Sequence, residues 1–196
     1  MQTRTRSTTL SSSHSDDGSS HRAPADSPVV IRSPRIGDGA AMWQIAVDSQ
    51  VLDANSSYAY LLWCRDFGST SVVAEIDGDI AGFVTGYLRP EAPEVVFVWQ
   101  VAVNHAFRGR GVGVAMLDHL VNAAAEQGIS TLETTVSPDN EASVAMFASL
   151  ARRRGAEMSR ESLFAPEDFP DGHEPEDLYR ISPLQHSGDH ITEDHR

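Results

Sequence analysis

Arg108-Gly109-Arg110-Gly111-Val112-Gly113 stands between an apolar β-type run, Val95 to Val103, and a helical run that reaches Glu126. No other stretch of the 196 residues limits the fold as tightly. Three glycines in six residues let the backbone turn with its N–H groups converging. The helix that follows adds the positive end of its dipole, and Arg108 and Arg110 add two guanidiniums. The result is a pyrophosphate cradle on a strand–turn–helix unit. A plain strand-to-helix turn with two solvated arginines would share the spacing. The glycines run G-x-G-x-G, not the G-x-G-x-x-G of dinucleotide-binding turns, and a P-loop would need a lysine.

The cradle is a basic spot in an acidic chain. Acids total 28 and bases 15, every base is arginine, and the formal net charge is −13. Residues 1–28 balance three arginines against three aspartates, and residues 182–196 carry −2, so −11 falls on residues 29–181. Such a balance excludes general nucleic-acid binding, which relies on basic surface. The missing lysine excludes Schiff-base chemistry. A single cysteine, Cys64, excludes an internal disulfide and a multi-cysteine zinc site. Unbroken apolar runs, such as the five residues Val95 to Trp99, fall far short of the roughly 20 residues that span a bilayer. No membrane association and a cytoplasmic location are expected, because no apolar segment follows Arg4 and Arg6 as in a secretory signal. Residues 1–28 and 184–196 are polar enough to be read as disordered tails. The histidines at 186, 190 and 195 read as part of a solvated tail, and no metal is expected. One domain is left, residues 29–183.

Its elements follow from periodicity and punctuation. Val29 to Arg32 reads as a strand, Asp38 caps a helix through Val47, and Asn55-Ser56 precedes a helix over Ser57 to Phe67. Asp77-Gly78 between two β-rich runs signals a hairpin, and Arg89 to Glu94, with two prolines, reads as a loop. After the cradle helix come a strand over Thr131 to Val136, a helix from Pro138-Asp139-Asn140 to Arg154, and closing strands at Ala156 to Leu163 and Asp177 to Ile181. The order β-α-α-β-β-β-α-β-α-β-β predicts an α/β (α+β) fold, with a mixed, mostly antiparallel sheet flanked by helices.

The run VWQVAVNHAFRGRGVGVAMLDHLV resembles motif A of the GCN5-related N-acetyltransferase (GNAT) family, with Arg108, Gly111 and Gly113 on its Arg/Gln-x-x-Gly-x-Gly/Ala pattern. SPDNEASVAMF resembles the family's Asn-x-x-Ala/Ser-x-x-x-Tyr/Phe motif. The resemblance implies the GNAT acyl-CoA N-acyltransferase fold, with splayed central strands. It also implies acetyl-CoA as co-substrate, its pyrophosphate on the amides from Arg108 through Gly109, Arg110, Gly111, Val112 and Gly113 to Val114. The pantetheine arm pairs with Val101 and Val103 like an added strand, and Asn140, Ser143 and Phe147 lie near the thiol. Where the family often has a tyrosine general acid this chain has Phe147, which cannot donate a proton. Either another tyrosine or water serves, or the thiolate leaves unprotonated. Arg152-Arg153-Arg154 reads either as a partner for the CoA 3′-phosphate or as a solvated helix end.

Three further segments, VLDANSSYAYLLWCRDF, FVTGYLRPEAPEVVFVWQ and FPDGHEPEDLYRI, resemble the branch of that family that acetylates L-2,4-diaminobutyrate on N4 for ectoine biosynthesis and osmoadaptation. That resemblance implies a homodimer and a diamino acid as acceptor. Two ammoniums and a carboxylate call for acids around the site. The candidates are Asp53 before the second helix, Glu133 on the strand beside the cofactor strand, and His173-Glu174 in the late loop. Trp99 and Tyr58 (or Tyr60) are candidate walls, and Arg65 or Arg89 candidate carboxylate holders. Each has a plainer reading as cap, outward strand residue, packing or surface ion pair. Glu133 or Glu174 is expected to take the ammonium proton, and the Val101 N–H to stabilise the oxyanion. Cys64 reads as buried rather than catalytic. The rivals are acetylation of another small amine, a polyamine or an aminoglycoside, and a non-catalytic acyl-CoA-binding module.

Overall fold

The computed structural model describes residues 27–50, 52 and 55–184. Seven strands form one sheet in the order β1-β2-β3-β4-β5-β7-β6. They are β1 (Val30–Arg32), β2 (Val72–Ile76), β3 (Asp79–Arg89), β4 (Ala92–Val103), β5 (Thr131–Val136), β6 (Glu157–Phe164) and β7 (Glu176–Ser182). All neighbours are antiparallel except β4 and β5.

Four helices cover the two faces. α1 (Gly39–Ser49) buries Gly39, Met42, Ile45 and Ala46, a stripe at helical spacing. With Tyr60 and Cys64 of α2 (Ser57–Asp66) it packs on Val73, Phe83 and Ala102. On the other face α3 (Val112–Glu126) and α4 (Glu141–Arg154) bury Met116, Leu117, Leu120, Phe147 and Leu150 against Val84, Val96, Val98, Leu132 and Ile181. The central strands are apolar on both faces because both faces are covered. Asp77 and Gly78 both take positive φ, 53° and 88°, as the two-residue hairpin between β2 and β3 requires.

The loop expected over Arg89 to Glu94 is shorter than its prolines suggested. β3 runs to Arg89, β4 begins at Ala92, and the turn is Pro90-Glu91. Pro93 is tolerated because pairing with β5 starts only at Val95. The tails expected at 1–28 and 184–196 lie outside the described residues except at three positions. The Ser27 carbonyl accepts from Arg110, and Leu184 is buried with its N–H donated to the Ser130 carbonyl, so the packed unit reaches both residues.

One irregularity positions the site. β4 and β5 pair only from Val95↔Thr131 to Val98↔Thr134. Beyond that, β4 stays with β3 as far as Val103↔Gly82, and β5 stays with β7 as far as Val136↔Asp177. The two central strands therefore separate. The split coincides with a bulge: Gly86 pairs with Val98 and Thr85 with Gln100, leaving Trp99 as the extra residue.

Candidate active site

The hydrogen-bond phase of β4 decides what faces the split. The Asn104 N–H donates to the Ala81 carbonyl, which makes Val103↔Gly82 a non-hydrogen-bonded pair. Two residues back, Val101↔Val84 has the same phase. Val101 and Val103 thus turn their N–H and C=O groups away from β3, toward the side that β5 has left. The Val103 carbonyl there accepts from Arg108 Nε at 3.2 Å.

Beside these groups lies a cavity of about 410 Å³. Val101, Val103, Arg108, Gly109, Gly111, Val112, Gly113, Asn140 and Ser143 line it. Gly109 and Gly111 hold φ of +76° and +74°, and Gly111 is the N-cap of α3. At Gly113 the first turn of α3 lies close against α4: a Cβ there would sit 2.7 Å from the Met146 sulfur and that side chain would have to move. The cradle is a helix N-terminus with an arginine beside it. Arg110 is not part of its wall. Its guanidinium turns to the Ser27 carbonyl at 3.1 Å and stacks over Phe107, tying the start of the described chain to the turn.

A second cavity of about 370 Å³ adjoins the first along β4. Trp99, Gln100 and Val101 form one wall, Thr134 to Ser137 another, and Phe147 contributes from α4. The segment between β6 and β7 closes it with Phe164, Phe169, Asp171, His173 and Glu176. Phe169 contacts Phe164 edge-on at 6.0 Å and His173 at a tilt of 34°, with ring centroids 4.7 Å apart. Trp99 stacks on Trp63 of α2 at 5.0 Å. The walls are aromatic and the charges acidic, which suits a small cation. Leu52, Val101, Asn140 and Ser143 line both cavities, so the two meet at Val101. Asn140 is fixed there as the N-cap of α4, accepting from the Ser143 N–H at 3.1 Å.

The acceptor-side candidates separate. Trp99, His173 and Phe147 lie in the second cavity. His173 Nδ1 is 2.7 Å from the Glu174 carbonyl, which only accepts; Nδ1 therefore carries the proton, and in the neutral ring Nε2 holds the lone pair. Glu174 itself is exposed and outside the wall, whereas Glu176, two residues on, lines it and accepts from Ser137 Oγ at 2.9 Å. Glu133 is 1 % exposed and lines neither cavity. Its Oε2 accepts from Arg89 at 2.7 Å and its Oε1 from Arg180 at 2.9 and 2.7 Å. A carboxylate held by two guanidiniums has little capacity left for an ammonium proton, so the structure makes Glu133 an ion-pair centre. Glu133 also accounts for Arg89. Arg65 pairs with Asp66 on the surface. Tyr58 is 64 % exposed on α2 and outside the wall. Asp53 lies outside the described residues, although Leu52 and Asn55 on either side line the second cavity.

None of the four tyrosines lines either cavity, so Phe147 has no tyrosine substitute in these walls. Arg154, read as a possible phosphate partner, is buried and donates to the Asp118 carboxylate and carbonyl at 2.8 Å each, joining α4 to α3. Cys64 is buried 3.5 Å from the Met42 sulfur, and burial pushes its thiol up to about 11. Among the described residues no group of three or more His, Cys, Asp or Glu is placed to hold a metal ion. None of the helices described is long and apolar enough to cross a membrane. Asn55, Gln100, Asp171 and Glu176 are cavity residues that sequence reading missed. Glu176 carried a signal, as the acid that opens the last strand three residues after His173.

Known proteins share this arrangement. Residues 39–151 match the acetyltransferase (GNAT) family model. The chain is 61% identical over 155 residues to an L-2,4-diaminobutyric acid acetyltransferase of Nocardia farcinica, covering 79% of this chain and 80% of that protein. To the protein of the same name in Streptomyces coelicolor it is 56% identical over 167 residues, 84% of this chain and 98% of the other. A solved structure, the diaminobutyrate acetyltransferase EctA of Paenibacillus lautus in complex with L-2,4-diaminobutyric acid and coenzyme A, superposes with a TM-score of 0.77. Its identity is 40%, over 81% of this chain and 97% of that one. With a strand–cradle–helix unit at a split parallel pair and relatives this similar along most of its length, the chain belongs to the acetyltransferase (GNAT) family, and within it to the L-2,4-diaminobutyric acid acetyltransferases.

Proposed function

We propose that the protein transfers the acetyl group of acetyl-CoA to the 4-amino group of L-2,4-diaminobutyrate, a step of ectoine biosynthesis. The observation that carries this reading is the meeting of a cradle-lined and an acid-lined cavity at Val101. Acetyl-CoA enters from the cradle side. Arg108 and the first amides of α3 hold its pyrophosphate, and the outward N–H and C=O groups of β4 pair with its pantetheine arm. Diaminobutyrate enters from the other side, where Asp171 and Glu176 attract its ammoniums and Trp99, Phe164 and Phe169 exclude water.

The N4 ammonium gives its proton to His173 Nε2, directly or through a water. The free amine attacks the thioester carbonyl, a C–N bond forms, and the oxyanion accepts from the Val101 N–H. The C–S bond then breaks, CoA leaves as thiolate, and the second proton of the attacking nitrogen passes through water to that thiolate, so no acid is needed at Phe147. Tyr58, Leu61, Phe67 and Leu88 expose apolar surface around α2 and the neighbouring strands, which supports a homodimer. The acidic charge fits a cytoplasmic enzyme of a salt-adapted cell.

The test is acetyl-CoA turnover with diaminobutyrate, ornithine, lysine and putrescine, with the product's acetylated nitrogen read by NMR. Diaminobutyrate is expected to be preferred and acetylated on N4. Turnover of putrescine at an equal kcat/KM would overturn the assignment.

A further inference from the structure

Tyr60 is fully buried in the core under α1 and α2, its ring edge-on to Phe83 at 5.8 Å. A phenylalanine would fill that space equally well, so the hydroxyl needs its own explanation. It donates to Gln100 Oε1 at 3.0 Å, and the Asn55 side chain hydrogen-bonds to it as well. Both partners line the acceptor cavity. Asn55 lies in the segment leading into α2, and Gln100 lies on β4 between the bulged Trp99 and Val101. Neither partner is near the other in sequence, and the phenol lies behind both. Burial raises the phenol above its ordinary value, which keeps it a donor at any working pH.

We infer that Tyr60 is a positioning residue for the acceptor, its hydroxyl holding the Asn55 and Gln100 carboxamides in register so that the segment before α2 and the bulged edge of β4 grip the diamino acid together. The inference rests on the proposed acceptor reaction. It assigns Tyr60 no contact with either substrate. A buried amide that loses its partner reorients or draws water into the wall, and the loss falls on acceptor binding because Asn55 and Gln100 line the acceptor cavity and not the cradle cavity.

The test is steady-state kinetics of Tyr60→Phe, with diaminobutyrate and acetyl-CoA varied in turn. The KM for diaminobutyrate is expected to rise on the order of tenfold while that for acetyl-CoA changes by less than about twofold. Gln100→Leu should raise the same KM, and adding Tyr60→Phe to it should raise it little further, because the phenol acts through the amide. An unchanged KM for diaminobutyrate in Tyr60→Phe overturns the inference, whatever happens to melting temperature. So does an equal rise for both substrates, or full additivity with Gln100→Leu. Should Tyr60→Phe fail to fold, the KM pair for Gln100→Leu and Asn55→Ala decides alone. Wild-type protein inactive on diaminobutyrate would instead overturn the proposed reaction, a result read before any variant is made.

Discussion

Replacing Glu133 by glutamine separates a chemical role from a structural one. The carboxylate accepts three charge-assisted hydrogen bonds, one from Arg89 and two from Arg180. In Glu133→Gln one oxygen becomes an NH2 that meets guanidinium N–H donors, so one side of the cluster is lost and turns repulsive. Stranding the partner of a buried ion pair costs about 3–5 kcal/mol when the remaining charge stays dry. Here the stranded groups are the Arg89 and Arg180 side chains, 40% and 45% exposed, and water takes over much of their solvation. The expected loss is therefore about 2 kcal/mol, or roughly 4–8 °C in Tm for a chain of this size. Because β5 also carries Thr134 and Thr135 of the acceptor wall, kcat should fall, but by less than about tenfold. Loss of a general base costs on the order of 10²- to 10⁴-fold. Thermal unfolding by circular dichroism and kcat at saturating substrates read the two effects separately. A kcat lower by about a thousandfold with Tm unmoved would return Glu133 to the chemistry and refute the ion-pair assignment.

Other outcomes follow from the same contacts. Arg108→Ala should raise the KM for acetyl-CoA about tenfold and leave that for diaminobutyrate nearly unchanged; equal effects on both would place Arg108 outside the cradle. Cys64→Ala should keep most of the wild-type kcat, since transfer is direct and the thiol is buried with its pKa near 11; loss of turnover in a folded variant would require a covalent intermediate. Asp38 accepts from the Arg32 guanidinium at 2.7 and 3.0 Å and from the Arg35 N–H at 2.6 Å, contacts that hold its carboxyl below the ordinary carboxylate range. Its stabilisation is full above the unfolded-state value and is lost as pH falls through the lower native one. Asp38→Asn should cost about 1–2 kcal/mol at neutral pH in urea unfolding, and the gap should close in strong acid; a gap independent of pH would exclude the ion pair as its source.

How much of this was legible in the chain depends on the range of the interaction. The cradle was legible because glycine spacing, a preceding apolar strand and a following amphipathic helix are local. β5 and the body of α4 fell where periodicity placed them, and Asp77-Gly78 turned where its residues require. Glu133 was misread for a reason equally physical. A lone acid in a strand looks available until the fold brings up Arg89 from β3 and Arg180 from β7, two residues 91 positions apart in the chain. Tyr58 and Tyr60 differ by two positions on one helix, and only packing against Phe83 decides which is buried. Arg154 follows two exposed arginines, yet the middle of α3 takes it out of solvent through Asp118.

By itself, then, the sequence determined most element types, the glycine turn before α3 and the acidic character of the folded part, because each depends on neighbours within a few residues. Only the tertiary structure decided which groups face the site. The phase of β4 against β3 aims Val101 and Val103 outward, and the bulge at Trp99 goes with the parting of β4 from β5. Side-chain partners drawn from distant strands leave His173 and Glu176, rather than Glu133 and Glu174, in the wall of the second cavity. Register and pairing are properties of strands that meet across the fold, and no local pattern carries them.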